Sequence, residues 1–495
     1  MTSRITLDEL KSYLWNSAVL LRSNIDAGSY KQYIFPLLFF KRICDVYDEE
    51  SAKVLAENNG DVEALEWPES HSFVIPKGAH WNDVRSVSEN LGIAIKSAFI
   101  AIENANPGKL SGVFGDAAWT NKKRLPDRVL KDLIEHFSGR TLSLANCPED
   151  ELGQGYEYLI KKFADDAGHT AQEFYTNRTV VHLMTEMLKP QPGESIYDPT
   201  CGTAGMLISA IAYLKKTGQE WRNVKIYGQE FVQLTSAISK MNLFLHGIED
   251  FYIENNDTLE NPCFIERGEI KKFNLVLANP PYSIKNWNRE AFSHDKWGRN
   301  FLGTPPQGRA DYAFFQHILK SMDPETGRCA ILFPHGVLFR DEENEMRKNL
   351  VKADLVECVI GLGPNLFFNS PMEACIVICR SKKAPERCGK VLFINAKEEV
   401  TRKNAESYLE DKHIEKIANA YAEYKDIDNF ARVVTNKEIE SNNCSLNISL
   451  YAHICSTTEC VVEKTVEQLS TEWSYKSNTL NEHITALEKA LKAGD

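Results

Sequence analysis

The run best suited to chemistry in this 495-residue chain is Asn279-Pro280-Pro281-Tyr282, which closes the apolar stretch FNLVLA. An exocyclic amine on a nucleobase is a poor nucleophile, because its lone pair is delocalised into the ring. Two acceptors aimed at its N–H groups pull the nitrogen toward tetrahedral geometry. The Asn279 side-chain oxygen and the Pro280 carbonyl are suited to that task, and Pro280 and Pro281 hold the loop extended and stiff. Tyr282 offers a flat face for a base taken out of its helix. Displacement at the methyl group of a sulfonium ion is a matter of positioning and needs no covalent intermediate, so no Ser or Cys nucleophile is expected. The plainer reading is a loop that merely ends a strand.

Upstream, Asp198 to Gly205 (DPTCGTAG) lies where a strand gives way to a helix. Small residues at Gly202, Ala204 and Gly205, with Thr200 and Thr203 between them, let a ligand approach the backbone, and the next helix turns its N-terminal N–H groups toward it. The spacing is not G-x-G-x-x-G, which counts against a dinucleotide. Glu230 ends the next strand (KIYGQE), where an acid accepts hydrogen bonds from ribose hydroxyls; a solvated carboxylate is the alternative. Asp257, in ENNDTL, could accept from an adenine amino group or serve only as a turn or helix cap.

Those residues need a scaffold of short strands with crossover helices. From about residue 170, ESIYDP, KIYGQE, FYIENND, FNLVLANPPY, RCAILFPHGVLF, LVECVIGLG and ACIVICR alternate with helical patterns such as GMLISAIAYLKKT and ADYAFFQHILKSM. This predicts an α/β domain with a mostly parallel sheet, spanning 166–400. Residues 1–165 read as helical, beginning with a capping box at Thr6 and Glu9 that opens a face of Leu10, Leu14 and Leu21. Residues 401–495 read as a polar helical region. It ends in a near-heptad stripe of Leu480, Ile484, Leu487 and Leu491, either a core-packed helix or one that docks another subunit.

Charged residues make up 25% and hydrophobic residues 43% of the chain, a soluble balance. The N-terminus lacks the apolar stretch of a signal peptide and no membrane-length apolar run occurs, so a cytoplasmic protein without a membrane partner is expected. The twelve cysteines form no C-x-x-C pair or zinc pattern, and no metal site is expected. The net charge of −12 does not exclude DNA, because charge can be segregated on one face, but it suggests that a partner supplies much of the phosphate binding. The loop KNWNREAFSHDKWGRN mixes Lys285, Arg289, Lys296 and Arg299 with aromatics, a pattern that suits nucleic acid or a solvated loop.

The order DPTCGTAG, YGQE, NDTL, NPPY resembles the class I methyltransferases that modify amino groups of DNA. With QEFYTNRTVVHLM before it, GRADYAFFQHIL and GPNLFFNSPMEACIVI after it, and NFARVVTNKEIESNNCSLNISLY beyond the sheet, most of the chain is similar to the modification (M) subunit of Type I restriction–modification systems, in the N6-adenine DNA methyltransferase family. The resemblance implies a Rossmann-like methyltransferase domain, S-adenosylmethionine as cofactor and adenine in duplex DNA as substrate. It also implies a specificity (S) subunit, typically two M per S, and a restriction (R) subunit in the full complex. It would place Glu173, Phe174, Tyr175, Thr176 and Asn177 around the cofactor, although the family commonly has proline where Asn177 stands. Phe367 or Phe368 could stack the flipped base opposite Tyr282, or simply pack in the core.

Three rivals stand beside this reading. An NPPY methyltransferase of release-factor glutamine or ribosomal RNA would match the central domain and leave both ends unexplained. A non-catalytic scaffold would not need Asp198, Glu230 and Asn279 together. A nicotinamide oxidoreductase would need the missing glycine pattern.

Overall fold

The computed structural model describes residues 4–67, 69–167, 176–366, 373–403, 406–452 and Trp473. The chain divides after His453, and of the unit 454–495 only Trp473 is described, so the Leu480–Leu491 stripe lies outside the described residues.

The first 167 residues build a helical layer: α1 (Leu7–Leu21), α2 (Lys31–Glu57), α3 (Trp81–Arg85), α4 (Leu91–Ala105), α5 (Asp127–Ser138) and α6 (Glu149–Ala167). The capping box forms at the start of α1. The Thr6 hydroxyl accepts from the Glu9 N–H, the Glu9 carboxylate accepts from the Thr6 N–H, and Leu10, Leu14 and Leu21 are buried. A dense apolar core of Phe35, Phe39, Phe40, Phe99 and Phe114 unites these helices.

Next come α7 (Arg178–Leu188), β1 (Ser195–Asp198), α8 (Gly205–Lys216), β2 (Lys225–Glu230), α9 (Gln233–Leu245) and β3 (Phe251–Asn255). A small hairpin, β4 (Ile265–Glu266) and β5 (Glu269–Ile270), precedes β6 (Leu275–Ala278), α10 (Arg289–Ser293), α11 (Asp311–Ser321), β7 (Arg328–Pro334) and α12 (Asn344–Lys352). The sheet is completed by β8 (Val356–Leu362), β9 (Ala374–Arg380) and β10 (Lys390–Ala396). After them lie a second hairpin, β11 (Thr401–Lys403) and β12 (Glu406–Tyr408), then α13 (Asp411–Glu423), β13 (Ala431–Thr435) and α14 (Asn436–Ser441). Among the described residues nine strands form one sheet in the order β13-β10-β8-β9-β7-β6-β1-β2-β3. Only β9 and β13 run against their neighbours. β6 to β9 are buried almost throughout and apolar except for Arg328, Glu357 and Arg380 near the strand ends, the pattern of strands covered on both faces.

One face packs on α7, α8 and α13, the other on α11, α12 and α14. Helix α9 belongs to two cores. Its Leu243 faces the sheet, while Ala237, Ile238, Met241 and Phe244 complete the helical layer. Sequence reading ended the sheet region near residue 400 and read a helical stretch beyond. The β-branched run Ala431–Thr435 instead pairs antiparallel with β10, and residues 401–452 continue the same compact unit. Among the described residues no helix is long and apolar enough to cross a membrane, and every described cysteine is free.

Candidate active site

Strand order reverses between β1 and β6, because β2 and β3 extend the sheet to one side and β6 and β7 to the other. At such a reversal doubly wound sheets bind ligands in the crevice outside the carboxyl ends of the parallel strands. Asp198 ends β1, Glu230 ends β2 and Asn279 follows β6, so three candidate residues converge on that crevice.

The turn after β1 is shaped by two left-handed residues, Gly202 at φ +53° and Ala204 at φ +65°. Asp198 is 2% exposed, and its Oδ1 accepts from the Thr200 N–H at 3.0 Å. Burial pushes this carboxyl up to about 8. The Thr200 amide opposes that shift, and the neighbouring Glu230 charge adds to it. The Thr200 hydroxyl is buried beside Asp198 without a well-directed partner. Glu230 braces the turn: Oε2 accepts from the Gly202 N–H at 3.0 Å and Oε1 from the Val232 N–H at 2.8 Å. Two crowded carboxyls, an underused hydroxyl and an open backbone turn suit a cationic ligand with hydroxyl groups. S-adenosylmethionine, with its ammonium, sulfonium and ribose, fits that description.

A Cβ on Gly205 would stand 1.7 Å from Nη1 of Arg178, so this glycine makes room for that guanidinium. Arg178 Nε donates to Glu157 on α6 at 2.6 Å and Nη2 to the Thr203 hydroxyl at 3.3 Å. Asn242 of α9 donates to the same Glu157 and to the Thr203 carbonyl, both at 2.7 Å. The helical layer therefore holds the glycine-rich turn directly.

In the NPPY loop the Asn279 Oδ1 accepts from the Tyr282 hydroxyl, and Nδ2 donates to the Thr176 hydroxyl at 2.9 Å. The Tyr282 ring packs partly against the sheet core. Thr176 thus reaches the loop. Asn177 instead caps α7, accepting from the Thr179 N–H at 3.0 Å, and donates to the Ser407 carbonyl at 2.9 Å. Asp257 uses one oxygen to accept from the Leu259 and Glu260 amides, the cap alternative. Glu173, Phe174, Tyr175, Phe367 and Phe368 lie outside the described residues. Arg299 is withdrawn from the nucleic-acid loop. It is 1% exposed, paired with Asp295 at 2.6 Å, and donates to the Thr258 and Leu259 carbonyls.

Sequence reading missed Phe231, which follows Glu230 and is 71% exposed. Asn255 donates to the carbonyls of Glu230 and Phe231 at 2.8 and 2.9 Å and fixes that segment. An apolar ring directly after a strand-end acid was the available signal. The Glu157–Arg178 and Asn242–Thr203 ties had none. Among the described residues no group of His, Cys, Asp or Glu could hold a metal ion.

A model of the N-6 DNA methylase family matches residues 148–459, most of the chain. The chain belongs to that family. A model of the HsdM N-terminal domain matches residues 10–137, the helical layer that a protein- or RNA-modifying NPPY enzyme would leave unexplained. The methylase subunit of the Type I restriction enzyme MjaVII from Methanocaldococcus jannaschii is 30% identical, over 99% of this chain and 85% of its own. The HindI methylase subunit from Haemophilus influenzae is 32% identical, over 76% of this chain and 89% of its own. The crystal structure of a type I restriction-modification methyltransferase subunit from Streptococcus thermophilus matches with TM-score 0.78 and 30% identity, covering 90% of this chain and 100% of that one. The fold is accordingly that of the class I methyltransferases with a helical N-terminal region. This N-6 DNA methylase is an adenine-specific DNA methyltransferase of the Type I methylase-subunit kind.

Proposed function

We propose that this methylase acts on adenine N6 in duplex DNA as the modification subunit of a cytoplasmic Type I complex. In that complex a specificity subunit reads the sequence, two modification subunits join each specificity subunit, and a restriction subunit completes the assembly. The observation that carries the catalytic part is the placement of the Asp198–Glu230 turn and the Asn279–Tyr282 loop at the ends of neighbouring strands on either side of the strand reversal.

S-adenosylmethionine, when bound at these strand ends, would supply an activated methyl group. Asp198 and the Thr200 hydroxyl would take its ammonium end, Glu230 its ribose hydroxyls, and the exposed Phe231 ring would lie along its adenine. Asn279 Oδ1 and the Pro280 carbonyl accept from the two N–H bonds of the target amine and sharpen its lone pair. The Tyr282 hydroxyl now occupies Asn279 Oδ1, standing where one amine N–H would donate. The Tyr282 face would support the extruded base. The surplus proton leaves to water after transfer, because the methylated amine is acidic only once alkylated.

The test is mass spectrometry of DNA from a host free of background methylation, carrying this gene with candidate specificity genes of its own locus. N6-methyladenine with the native chain and none with Asn279→Ala supports the reading. Equal N6-methyladenine from both overturns the role of Asn279. None from either, despite a soluble assembled complex, overturns the DNA-methylation role.

A further inference from the structure

The residue after the NPPY loop adopts a backbone conformation that its side chain disfavours. Ser283 has φ +51°, in the left-handed region that costs a non-glycine residue energy. Its N–H donates to Asp311 Oδ1 at 2.7 Å. Asp311 is the first residue of α11 and only 1% exposed. The N-cap is Ala310, and an acid in the first turn can serve the positive end and free amides of its own helix. Among the hydrogen bonds of the described residues, neither Asp311 oxygen does so. Oδ2 accepts from Arg340 Nη1 at 2.8 Å.

Arg340 is itself held in place. Its N–H donates to the Gly336 carbonyl at 3.0 Å, and its own carbonyl accepts from Arg347 Nη1 at 2.7 Å. Its guanidinium also lies 3.5 Å from Glu343. A Cβ on Gly336 would stand 2.3 Å from Arg340 Nε, so the glycine in FPHGVLFR leaves the space the guanidinium occupies.

We infer that Asp311 is a positioning residue for methyl transfer: with Arg340 fixing its orientation, it clamps the Ser283 amide and so holds the NPPY loop in a strained, productive shape. The inference rests on the reading of Asn279 and Tyr282 as the amine-binding loop. It gives a purpose to two stretches that are otherwise only scaffold, GRADYAFF and FPHGVLFR. A carboxylate is needed because its two oxygens serve two donors on opposite sides. A side-chain amide has one oxygen, which cannot face both.

The test uses the full chain in the co-expressed complex, with Asp311→Asn, the double variant Asp311→Asn/Ser283→Gly, and Asn279→Ala as reference. Asp311→Asn should lower kcat about tenfold, the effect of losing one charge-assisted contact, and leave the Kd for S-adenosylmethionine within about twofold. Adding Ser283→Gly should raise kcat about fivefold, because glycine takes positive φ without the penalty. Arg340→Lys, which keeps charge but loses the fork, supplies a second variant should Asp311→Asn fold poorly, and the same Ser283→Gly rescue is expected. A merely structural Asp311 would shift the thermal midpoint and show no such rescue. Native kcat in Asp311→Asn, or no gain from Ser283→Gly, overturns the clamp. An active Asn279→Ala would instead overturn the reading of the loop on which the clamp rests.

Discussion

Asp198 is buried in the turn that Glu230 braces, and that burial, with a smaller push from the Glu230 charge, has a measurable sign. Asp198 is pushed up to about 8, far above its value in an unfolded chain. The folded protein therefore keeps a proton that the unfolded chain releases near pH 4. Without cofactor, stability is greatest at low pH in this respect and falls as pH rises toward 8. Glu343, pushed up to about 7 by burial, adds in the same direction. Asp198→Asn should flatten the thermal-midpoint curve between about pH 5 and 8. Melting curves across that range check it, and an unchanged slope would refute the assignment. A cationic cofactor reverses the balance, so binding near neutral pH should release up to one proton, read as a difference in calorimetric heat between buffers of unlike ionisation enthalpy. Tyr282 makes a second residue-scale case. Its hydroxyl occupies the Asn279 oxygen, so Tyr282→Phe keeps the ring, frees the acceptor, and should hold or raise kcat, whereas Tyr282→Ala should lower kcat by at least tenfold, about the loss of one base-stacking contact. A dead Tyr282→Phe would show that the hydroxyl itself is needed.

At the scale of elements, the strongest coupling runs from α6 through Arg178 to the glycine-rich turn. Gly205→Ala would drive a methyl group into the Arg178 guanidinium. Displacing it leaves Glu157, half-buried beside Asn242 of α9, short of its cation, at a cost of about 1–3 kcal/mol by denaturant unfolding. The Kd for S-adenosylmethionine should rise together with the loss of stability, although Gly205 need touch no cofactor. Unchanged stability would mean that Arg178 has another place to go. The central strands were legible because continuous apolar runs between helical patterns have few other folds open to them. β10 and β13 escaped, since KVLFINA follows a polar stretch and ARVVT is only five residues long. The strand-end motifs pointed to Asp198, Glu230 and Asn279, and the resemblance to Thr176. What no single-chain pattern could show was the set of ties between distant segments: Glu157 to Arg178, Asn242 to Thr203, and Asp311 to Ser283. A polar residue in a helix reads the same whether its partner is solvent or a loop far away in sequence.

The whole molecule carries a net charge of −12, a poor match for a polyanion. The isolated chain should therefore bind duplex DNA weakly, with a shallow dependence of log affinity on log salt. Assembly with a specificity subunit should steepen that slope by roughly 0.9 for every further phosphate neutralised. A steep slope for the isolated chain would argue instead for a basic face sufficient by itself. The double allegiance of α9 has a further bearing, on how the protein is made. The helical layer, although it comes first in the sequence, lacks part of its core until Ala237, Ile238, Met241 and Phe244 arrive. At about 5–20 residues per second, the ribosome adds the segment between α6 and the end of α9 over several seconds, on the order of ten. During that interval Phe39 and Phe73 lack Phe244, the ring on which both pack in the finished protein. A core left incomplete in this way exposes apolar surface of the aggregation-prone kind, and the pace of synthesis between residues 167 and 245 sets how long it stays exposed.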